Sequence, residues 1–241
     1  MDFVDHPRQA DVNVGKNKIY FKDNLDIYCS NLQAIDTYSN IYREINSEIV
    51  NIDLMLDVGN GGIFDYDTAL VNNIVAVDLF FDELPDKIYT KKRNVSWKNG
   101  SALDLPENND KYDAVLMVML LHHLVGNSVS ESIKNIHLAI HEAHRVLKPG
   151  GKLIVVESCI PRWFFAFEKL VFPIAEKVLN KAAAHPVTIQ YPADFVRNII
   201  ESRFNCVLVR NVSLGKWVIH FGLRWPTSLT PIEVFVFTAY K

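Results

Sequence analysis

Short apolar segments separated by stretches of helical periodicity constrain the fold of this chain more than any other feature. Five of these segments are predicted to be strands, at residues 54–58, 74–77, 95–97, 112–119 and 152–156. Strands that are apolar on both faces and alternate with helices are typical of a parallel sheet with helices on both sides. The sequence therefore predicts an α/β fold.

The predicted helices and the last strands complete this pattern. Apolar spacing predicts helices over 32–49 and 129–147, and we expect Pro149-Gly150-Gly151 to end the second one. A helix over 192–204 is predicted to have Pro192 in its first turn. The strands predicted at 207–212 and 232–239 are joined by a long loop without a helix, which favours antiparallel pairing between them.

Length and composition predict one globular domain, 1–241. Hydrophobic residues make up 49% and charged residues 22%, which is close to the globular average. A net charge of −3, with no dense basic tract beyond Lys91-Lys92-Arg93, argues against a nucleic acid as the substrate. The three cysteines lack the spacing of a zinc site or a disulfide framework. Because the chain also shows no signal-peptide-like start and no apolar stretch of membrane-spanning length, we expect a cytoplasmic protein.

A glycine-rich turn follows the first predicted strand. It reads Asp57-Val58-Gly59-Asn60-Gly61-Gly62, and Asp78 ends the second strand 21 residues after Asp57. Ligands of open parallel sheets bind beyond the carboxyl ends of the strands, where an acid at this distance reaches a ribose diol. Asp57 would repel the pyrophosphate of a dinucleotide but attract the sulfonium and ammonium groups of S-adenosylmethionine (AdoMet). The sequence thus favours AdoMet, with an NAD(P)-dependent oxidoreductase as an alternative.

Several further motifs follow in a fixed order between residues 54 and 157. After the glycine turn and Asp78 come Gly100-Ser101-Ala102-Leu103-Asp104-Leu105-Pro106, Tyr112-Asp113-Ala114-Val115, Leu121-His122-His123-Leu124 and Arg145-Val146-Leu147-Lys148-Pro149-Gly150-Gly151. Together they resemble the class I AdoMet-dependent methyltransferases, in particular the small-molecule branch similar to ubiquinone and sugar methyltransferases. Gly62-Ile63 and Ser101 depart from the family pattern, which usually has Cys, Thr or Ser before a glycine at the first position and Asp at the second. The resemblance implies a Rossmann-like, seven-stranded, mostly parallel sheet with an antiparallel last strand, helices on both faces and a helical lid.

The resemblance also implies which residues bind the cofactor. The methionine part of AdoMet is expected beside Asp57, Gly59, Asn60, Gly61, Met117 and Val118. Asp78 is expected to bind the ribose, Ser101 and Ala102 to flank the adenine, and Leu79 to complete the set.

The implied reaction is in-line methyl transfer to a small-molecule acceptor, with a hydroxyl of a sugar, a polyketide-like or a quinone-like compound favoured. The enzyme's tasks are then to align the acceptor and to remove the hydroxyl proton, and histidine suits a general base at cellular pH. His122 and His123, after the fourth strand, are the candidate bases. Glu157, after the fifth strand, is expected to orient the base or to bind an acceptor hydroxyl. Methylation at nitrogen or carbon, the oligomeric state and a non-catalytic AdoMet-binding role stay open.

The segments outside the central core are expected to surround the acceptor. By the resemblance, residues 1–50 and 159–191 form a lid, 51–158 form the AdoMet-binding core and 192–241 form a carboxyl-terminal part. A helix is predicted over 168–184, interrupted by Pro173, and aromatic residues near it line a pocket or pack the lid onto the sheet: Trp163, Phe164, Phe165, Phe167 and Phe172. A weaker alternative is a membrane-surface helix with Lys169, Lys177 and Lys181 near lipid headgroups. The tryptophans of loop 216–226 either contact the acceptor or close the bottom of the core.

Three histidines on the second predicted helix suggest a metal site at first sight. His137, His141 and His144 share one helix face. Because no fourth ligand accompanies them, we interpret them as a solvated or half-buried face and predict no metal site.

Overall fold

The computed structural model describes residues 36–79, 81, 92–170, 188–220 and 223–241. Within these ranges, α-helices occur at Asp36–Glu48 (α1), Val129–Val146 (α2), 162–170 (α3) and Ala193–Glu201 (α4). The strands are Ile52–Val58 (β1), Val71–Asp78 (β2), Val95–Asn99 (β3), Tyr112–Val118 (β4), Leu147–Cys159 (β5), Asn205–Val212 (β6), Trp217–His220 (β7), Leu223–Pro226 (β8) and Glu233–Tyr240 (β9). The predictions for Phe172, Lys177, Lys181 and most of the amino-terminal lid region lie outside the described residues.

Seven strands form the central sheet, in the order β3-β2-β1-β4-β5-β9-β6. The pairs β3-β2, β2-β1, β1-β4 and β4-β5 are parallel, and β9 is antiparallel to both β5 and β6. The predicted Rossmann-like sheet with an antiparallel last strand is therefore confirmed. Strand order reverses between β1 and β4, and a ligand of such a sheet binds beyond the carboxyl ends of the strands at this point. We call the edge formed by the ends of β1, β2, β4 and β5 the ligand edge.

Helices cover both faces of the sheet. The apolar stripe of α2, with Ile136 and Ile140 fully buried, packs on one face together with residues of α4. On the other face, Ile41 and Ile45 of α1 and Ile49 directly after it are buried, and the three lie four residues apart along the chain. Each such isoleucine contributes roughly 1.5–3 kcal/mol through burial of its side chain. Among the helices of the described ranges, none has both the length and the apolar character needed to cross a bilayer.

The connection between β1 and β2 differs from the predicted alternation of strands and helices. Residues 59–70, all of which the structure describes, form no α-helix and contain only a short 3-10 turn at Thr68–Leu70. The face that a helix here would cover is instead covered by α1, which precedes β1 and packs on Met55 of β1 and Ile74 of β2. The general alternation of strands and helices therefore does not hold between β1 and β2.

The Pro-Gly-Gly segment does not end the preceding helix, contrary to the prediction. Helix α2 ends at Val146, and Leu147 is already extended, so that residues 149–151 lie inside β5. Gly150 donates its N–H to the carbonyl of Lys241, and Lys241 donates to the carbonyl of Gly151. Pairing with the last residue of the chain therefore draws the segment into the sheet. Pro192 was likewise expected inside the first turn of α4, but it is the N-cap that precedes Ala193.

Two segments near the ligand edge also differ from the sequence prediction. Residues 162–170, predicted to be mostly outside a helix, form α3. The predicted loop 216–226 contains the antiparallel hairpin β7-β8. Strand β6 is parallel to β5 and therefore ends at the ligand edge, and β9 starts at the same edge, opposite Cys159. Because the hairpin β7-β8 connects β6 to β9, it also lies at the ligand edge. Its tryptophans therefore do not close the bottom of the core; Trp217 and Trp225 are 37% and 39% exposed.

Candidate active site

The glycine turn holds a buried carboxyl group at the end of β1. Asp57 is buried, and its Oδ2 accepts hydrogen bonds from Tyr66 Oη (2.6 Å) and Asn60 Nδ2 (2.5 Å). Burial raises the pKa of Asp57 to about 7, and the two hydrogen bonds oppose this rise. No cation pairs with Asp57 among the described residues. A positively charged ligand group beside Asp57 would therefore find a carboxyl group that no described cation neutralises.

Asp78 fixes the shape of the same turn from the neighbouring strand. Its Oδ2 accepts a hydrogen bond from the backbone N–H of Gly61 (2.9 Å), and the N–H of Gly59 donates to the carbonyl of Val77 (2.8 Å). Gly61 has a φ of +63°, and a Cβ added there would meet no atom within 4 Å. The turn thus presents open space beside two carboxyl groups, as a cofactor that approaches the backbone requires.

The local backbone also bears on the choice between AdoMet and a dinucleotide. Dinucleotide folds bind pyrophosphate at the N-terminus of the helix that follows the glycine turn. Since residues 59–70 form no α-helix, this positive helix end is missing from the turn. The structure therefore disfavours the NAD(P)-dependent alternative more strongly than the sequence did.

The other predicted cofactor residues lie around this turn at different depths. Leu79 is 36% exposed directly after β2. Ser101 lies in a tight turn after β3, where its Oγ accepts from the N–H of Leu103 (3.1 Å), and Ala102 beside it is buried in the core. Met117 is fully buried among core side chains, whereas Val118 at the end of β4 is only partly buried. Of these two, Val118 is the residue whose side chain lies nearer to solvent at the ligand edge.

A histidine–carboxylate pair lies where β4 and β5 end. His122 Nδ1 is 2.6 Å from Glu157 Oε1, and Glu157 is 1% exposed. The same carboxylate accepts from the backbone N–H groups of Leu121 (2.8 Å, to Oε2) and Ser158 (2.7 Å, to Oε1). A carboxylate held by these donors favours the tautomer of His122 with a proton on Nδ1, which leaves the Nε2 lone pair as a base. Nε2 makes no hydrogen bond to any described residue.

His123 follows His122 in the chain, and its ring lies beside that of His122. Its ring centroid is 4.1 Å from that of His122, and its backbone N–H donates to the carbonyl of Leu120 (2.9 Å). The contact of 2.6 Å with Glu157 orients the ring of His122. The geometry therefore favours His122 over His123 as the base.

Sequence reasoning missed several polar residues of this region. Tyr66 was not predicted, because an aromatic residue nine positions after an acid at a strand end belongs to no recognisable motif. Asp65, beside it, has its pKa raised to about 6 by burial. Glu168 and Gln190 were treated only as parts of the lid, yet both lie near the histidine–carboxylate pair. Sequence spacing could not reveal them, because they come from separate segments 22 residues apart.

The aromatic residues of α3 divide between core and surface. Phe165 is buried against Tyr191 and Phe195, with ring centroids 5.5 and 6.0 Å away. Trp163 and Phe167 are 68% and 56% exposed. Part of the predicted cluster thus packs α3 onto α4, while the rest faces outward.

The helix histidines do not gather around a shared point. His137 and His141 are exposed, and His144 packs edge-on against Phe204, 5.1 Å between ring centroids. Within the described residues, no group of three potential ligands is arranged to hold a metal ion.

Comparisons with known proteins relate the central part of the chain to methyltransferases. Residues 54–155 match the family described as methyltransferase domain. The demethylmenaquinone methyltransferase of Tropheryma whipplei (strain Twist) is 30% identical over 148 residues, which cover 56% of this chain and 57% of that protein. The ubiquinone/menaquinone biosynthesis C-methyltransferase of Rubrivivax gelatinosus is 26% identical over 146 residues, 54% of this chain and 53% of that protein. The chain thus spans little more than half the length of these curated relatives.

Solved structures extend the likeness of the fold to most of the chain. A SAM-dependent methyltransferase from Thermotoga maritima superposes with a TM-score of 0.56 at 17% identity, over 92% of this chain and 98% of that one. Likeness at this identity concerns the fold alone. The chain therefore has the fold of SAM-dependent methyltransferases, and its residues 54–155, which include the glycine turn and both histidines, are similar to the methyltransferase domain family.

Proposed function

We propose that this chain transfers a methyl group from AdoMet to a small-molecule acceptor that carries an acidic hydroxyl, such as a reduced quinone. The observation that carries the proposal is the His122–Glu157 pair at the ligand edge, where β4 and β5 end beside the glycine turn of β1. The quinone class is supported by the names of the two relatives, which concern demethylmenaquinone and ubiquinone or menaquinone.

The cofactor half of the proposal rests on the two acids of the glycine turn. In this proposal the ionised carboxylate of Asp57, held by Tyr66, attracts the sulfonium or ammonium group of AdoMet, and Asp78, which holds the N–H of Gly61, accepts from the ribose diol. The remaining proposed cofactor residues are those of the turn and of the neighbouring strand ends: Gly59, Asn60, Leu79, Ser101, Ala102, Met117 and Val118. When bound, AdoMet supplies a methyl group on a positively charged sulfur that leaves as a neutral thioether.

The acceptor half assigns a proton transfer to His122. Nε2 takes the proton of the acceptor hydroxyl, and Glu157 stabilises the resulting imidazolium through Nδ1–H. The hydroxyl oxygen then has the electron pair that forms the bond to the methyl carbon. In a hydroquinone the same deprotonation also raises the electron density at the ring carbon next to the C–O carbon. If that ring carbon is methylated instead, it then loses its own hydrogen as a proton. The sequence favours oxygen, and the name of the Rubrivivax gelatinosus relative is that of a C-methyltransferase.

Methyl transfer from AdoMet labelled with ¹³C in its methyl group to 1,4-dihydroxynaphthalene, kept reduced under anaerobic conditions, tests this function. We expect His122→Gln to lower kcat by about 10²–10⁴, the usual contribution of a general base, while His123→Gln serves as the matched control. The NMR spectrum of the product assigns the methyl group to oxygen or carbon. A greater loss of kcat in His123→Gln than in His122→Gln would show that His122 is not the base.

Calorimetry with S-adenosylhomocysteine tests the cofactor independently of turnover. We expect this compound to bind the wild-type chain and NAD to show no binding. Binding without methyl transfer to any hydroxylated acceptor would favour the non-catalytic alternative, and binding of NAD alone would contradict the assignment.

A further inference from the structure

A chain of hydrogen bonds leads away from the His122–Glu157 pair toward α3. Glu157 Oε1 also accepts from Ser158 Oγ (3.3 Å), which in turn accepts from Gln190 Nε2 (3.0 Å). The backbone N–H of Gln190 donates to the carboxyl group of Glu168 in α3. Two lid segments are thereby tied to the candidate base.

Backbone contacts on either side of Gln190 fix its position. The N–H of Ile189 donates to the carbonyl of His122 (3.1 Å), and Tyr191 forms a parallel bridge with Cys159 at the end of β5. Gln190 lies between these two contacts, so it is held against the ligand edge. Burial dominates the pKa of Glu168 and raises it, whereas the hydrogen bond from Gln190 and the proximity of His122 act in the opposite direction.

The polar chain ends in two buried acceptor atoms. Glu168 Oε2 and Gln190 Oε1 are both inaccessible to solvent, and neither has a hydrogen-bond partner among the described residues. Buried acceptors without a donor are rare in native proteins and are often explained by a bound group. Burial also raises the pKa of Glu168 to about 7, which fits a carboxyl group that has no cation of its own.

The chemistry of these atoms defines what can bind. The Nε2 lone pair of His122, Glu168 Oε2 and Gln190 Oε1 all accept hydrogen bonds. We propose that Glu168 and Gln190 form a second polar subsite, which binds a hydroxyl of the acceptor other than the one that His122 deprotonates. This inference rests on the proposed function and adds a specificity-determining residue, Glu168, that selects acceptors with two hydroxyl groups.

The test compares two acceptors in two enzymes. We measure kcat/KM for 1,4-dihydroxynaphthalene and for 1-naphthol, which lacks the second hydroxyl, in the wild-type chain and in Glu168→Met. The ratio of the two preferences cancels the intrinsic difference in reactivity between the acceptors. Because a hydrogen bond to a charged group changes binding by about 10- to 100-fold, we expect the preference for the diol to fall by that factor in Glu168→Met.

Two further variants separate recognition from a structural role. Glu168→Gln keeps one acceptor oxygen and is expected to retain an intermediate preference, and it carries the comparison if Glu168→Met does not fold. Glu201→Gln makes the same chemical change on the surface at the end of α4 and should leave the preference unchanged. All variants should bind S-adenosylhomocysteine within about twofold of the wild-type affinity, since Glu168 lies outside the glycine turn.

The outcomes are distinguishable from those of the proposed function. If all variants transfer methyl groups with the same preference between the two acceptors, the subsite is overturned while the methyltransferase activity stands. If the loss in Glu168→Met is equal for both acceptors, Glu168 acts only through structure and the subsite is again overturned. A wild-type chain that does not bind S-adenosylhomocysteine overturns both proposals.

Discussion

We expect the buried carboxyl group of Asp57 to make cofactor binding dependent on pH. Its pKa of about 7 means that the group is about one-tenth ionised at pH 6 and about nine-tenths ionised at pH 8. A sulfonium or ammonium group requires the ionised form. We therefore expect the affinity for AdoMet to rise about tenfold from pH 6 to pH 8 and to release close to one proton on binding at pH 6.

Calorimetry at pH 6, 7 and 8, in buffers with different enthalpies of ionisation, measures both the affinity and the protons released. Asp57→Asn should bind more weakly and without the slope of the wild-type chain, and any slope that it keeps reports titration of the ligand itself. Tyr66→Phe removes a donor that favours the ionised carboxyl, so the pKa of Asp57 should rise and the binding profile should move to higher pH. Wild-type affinity that is constant between pH 6 and pH 8 would refute the reasoning.

The same group must affect stability with a defined sign. Between pH 4 and pH 7 the folded chain keeps a proton on Asp57 that the unfolded chain has lost, since the model-compound pKa is 3.8. The contribution of Asp57 to the free energy of unfolding therefore falls as pH rises through this window, by about 4 kcal/mol in all, and is constant above it. Urea unfolding of the wild type and of Asp57→Asn should show this fall only in the former. Asp65, with a pKa of about 6, adds a change of the same sign that both proteins share.

Three further predictions concern single side chains. In Gly59→Ala the new Cβ would lie 2.6 Å from Leu120 Cδ1 at a φ of +74°, so we expect the free energy of unfolding in urea to fall by about 2–3 kcal/mol. In Gly61→Ala the added Cβ has open space, so the free energy of unfolding should fall by only about 1 kcal/mol. Calorimetry should nevertheless show that Gly61→Ala binds S-adenosylhomocysteine much more weakly than the wild type. Cys206 is exposed at a φ of +49°, and Cys206→Gly should raise the free energy of unfolding by about 0.5–1 kcal/mol. Trp163→Ser should change it by less than about 0.5 kcal/mol, because the side chain is 68% exposed.

The sheet could be predicted because its determinants are local. The apolar runs that became β1, β2, β4 and β5 are continuous in the sequence, and the run of β1 ends in a glycine-rich turn. The segments that were wrong depend on distant partners. Residues 149–151 join β5 because Lys241, about 90 residues later, pairs with them, and the connection after the glycine turn needs no helix because α1 already covers that face.

In the candidate site, too, the residues that could be predicted are those whose positions depend on local sequence. The cofactor acids could be located from sequence, because spacing along two adjacent strands places them at one edge. The sequence also placed His122 and Glu157 after two predicted strands, which became β4 and β5 and pair in the structure. The choice of His122 rather than His123 as the proposed base depends on the 2.6 Å contact with Glu157. Tyr66, Glu168 and Gln190 could not be found, because their roles arise from packing between segments that the sequence pattern does not connect.

The carboxyl and amide oxygens at the ligand edge share one property, and this narrows the ligands that the edge can hold. In the described part of the chain, Asp57, Glu168 and Gln190 present acceptor atoms without a cation, and the glycine turn lacks the helix end that would attract an anion. A phosphate or a fully oxidised quinone brings only more acceptors to such an edge, which leaves buried groups unpaired at a cost of about 1–3 kcal/mol each. A cationic cofactor at the glycine turn and a hydroxyl-bearing acceptor beside His122 supply the donors and charges that are missing. The electrostatics of the edge therefore favour the pair of ligands that we propose, an AdoMet cation and an acceptor with a hydroxyl group.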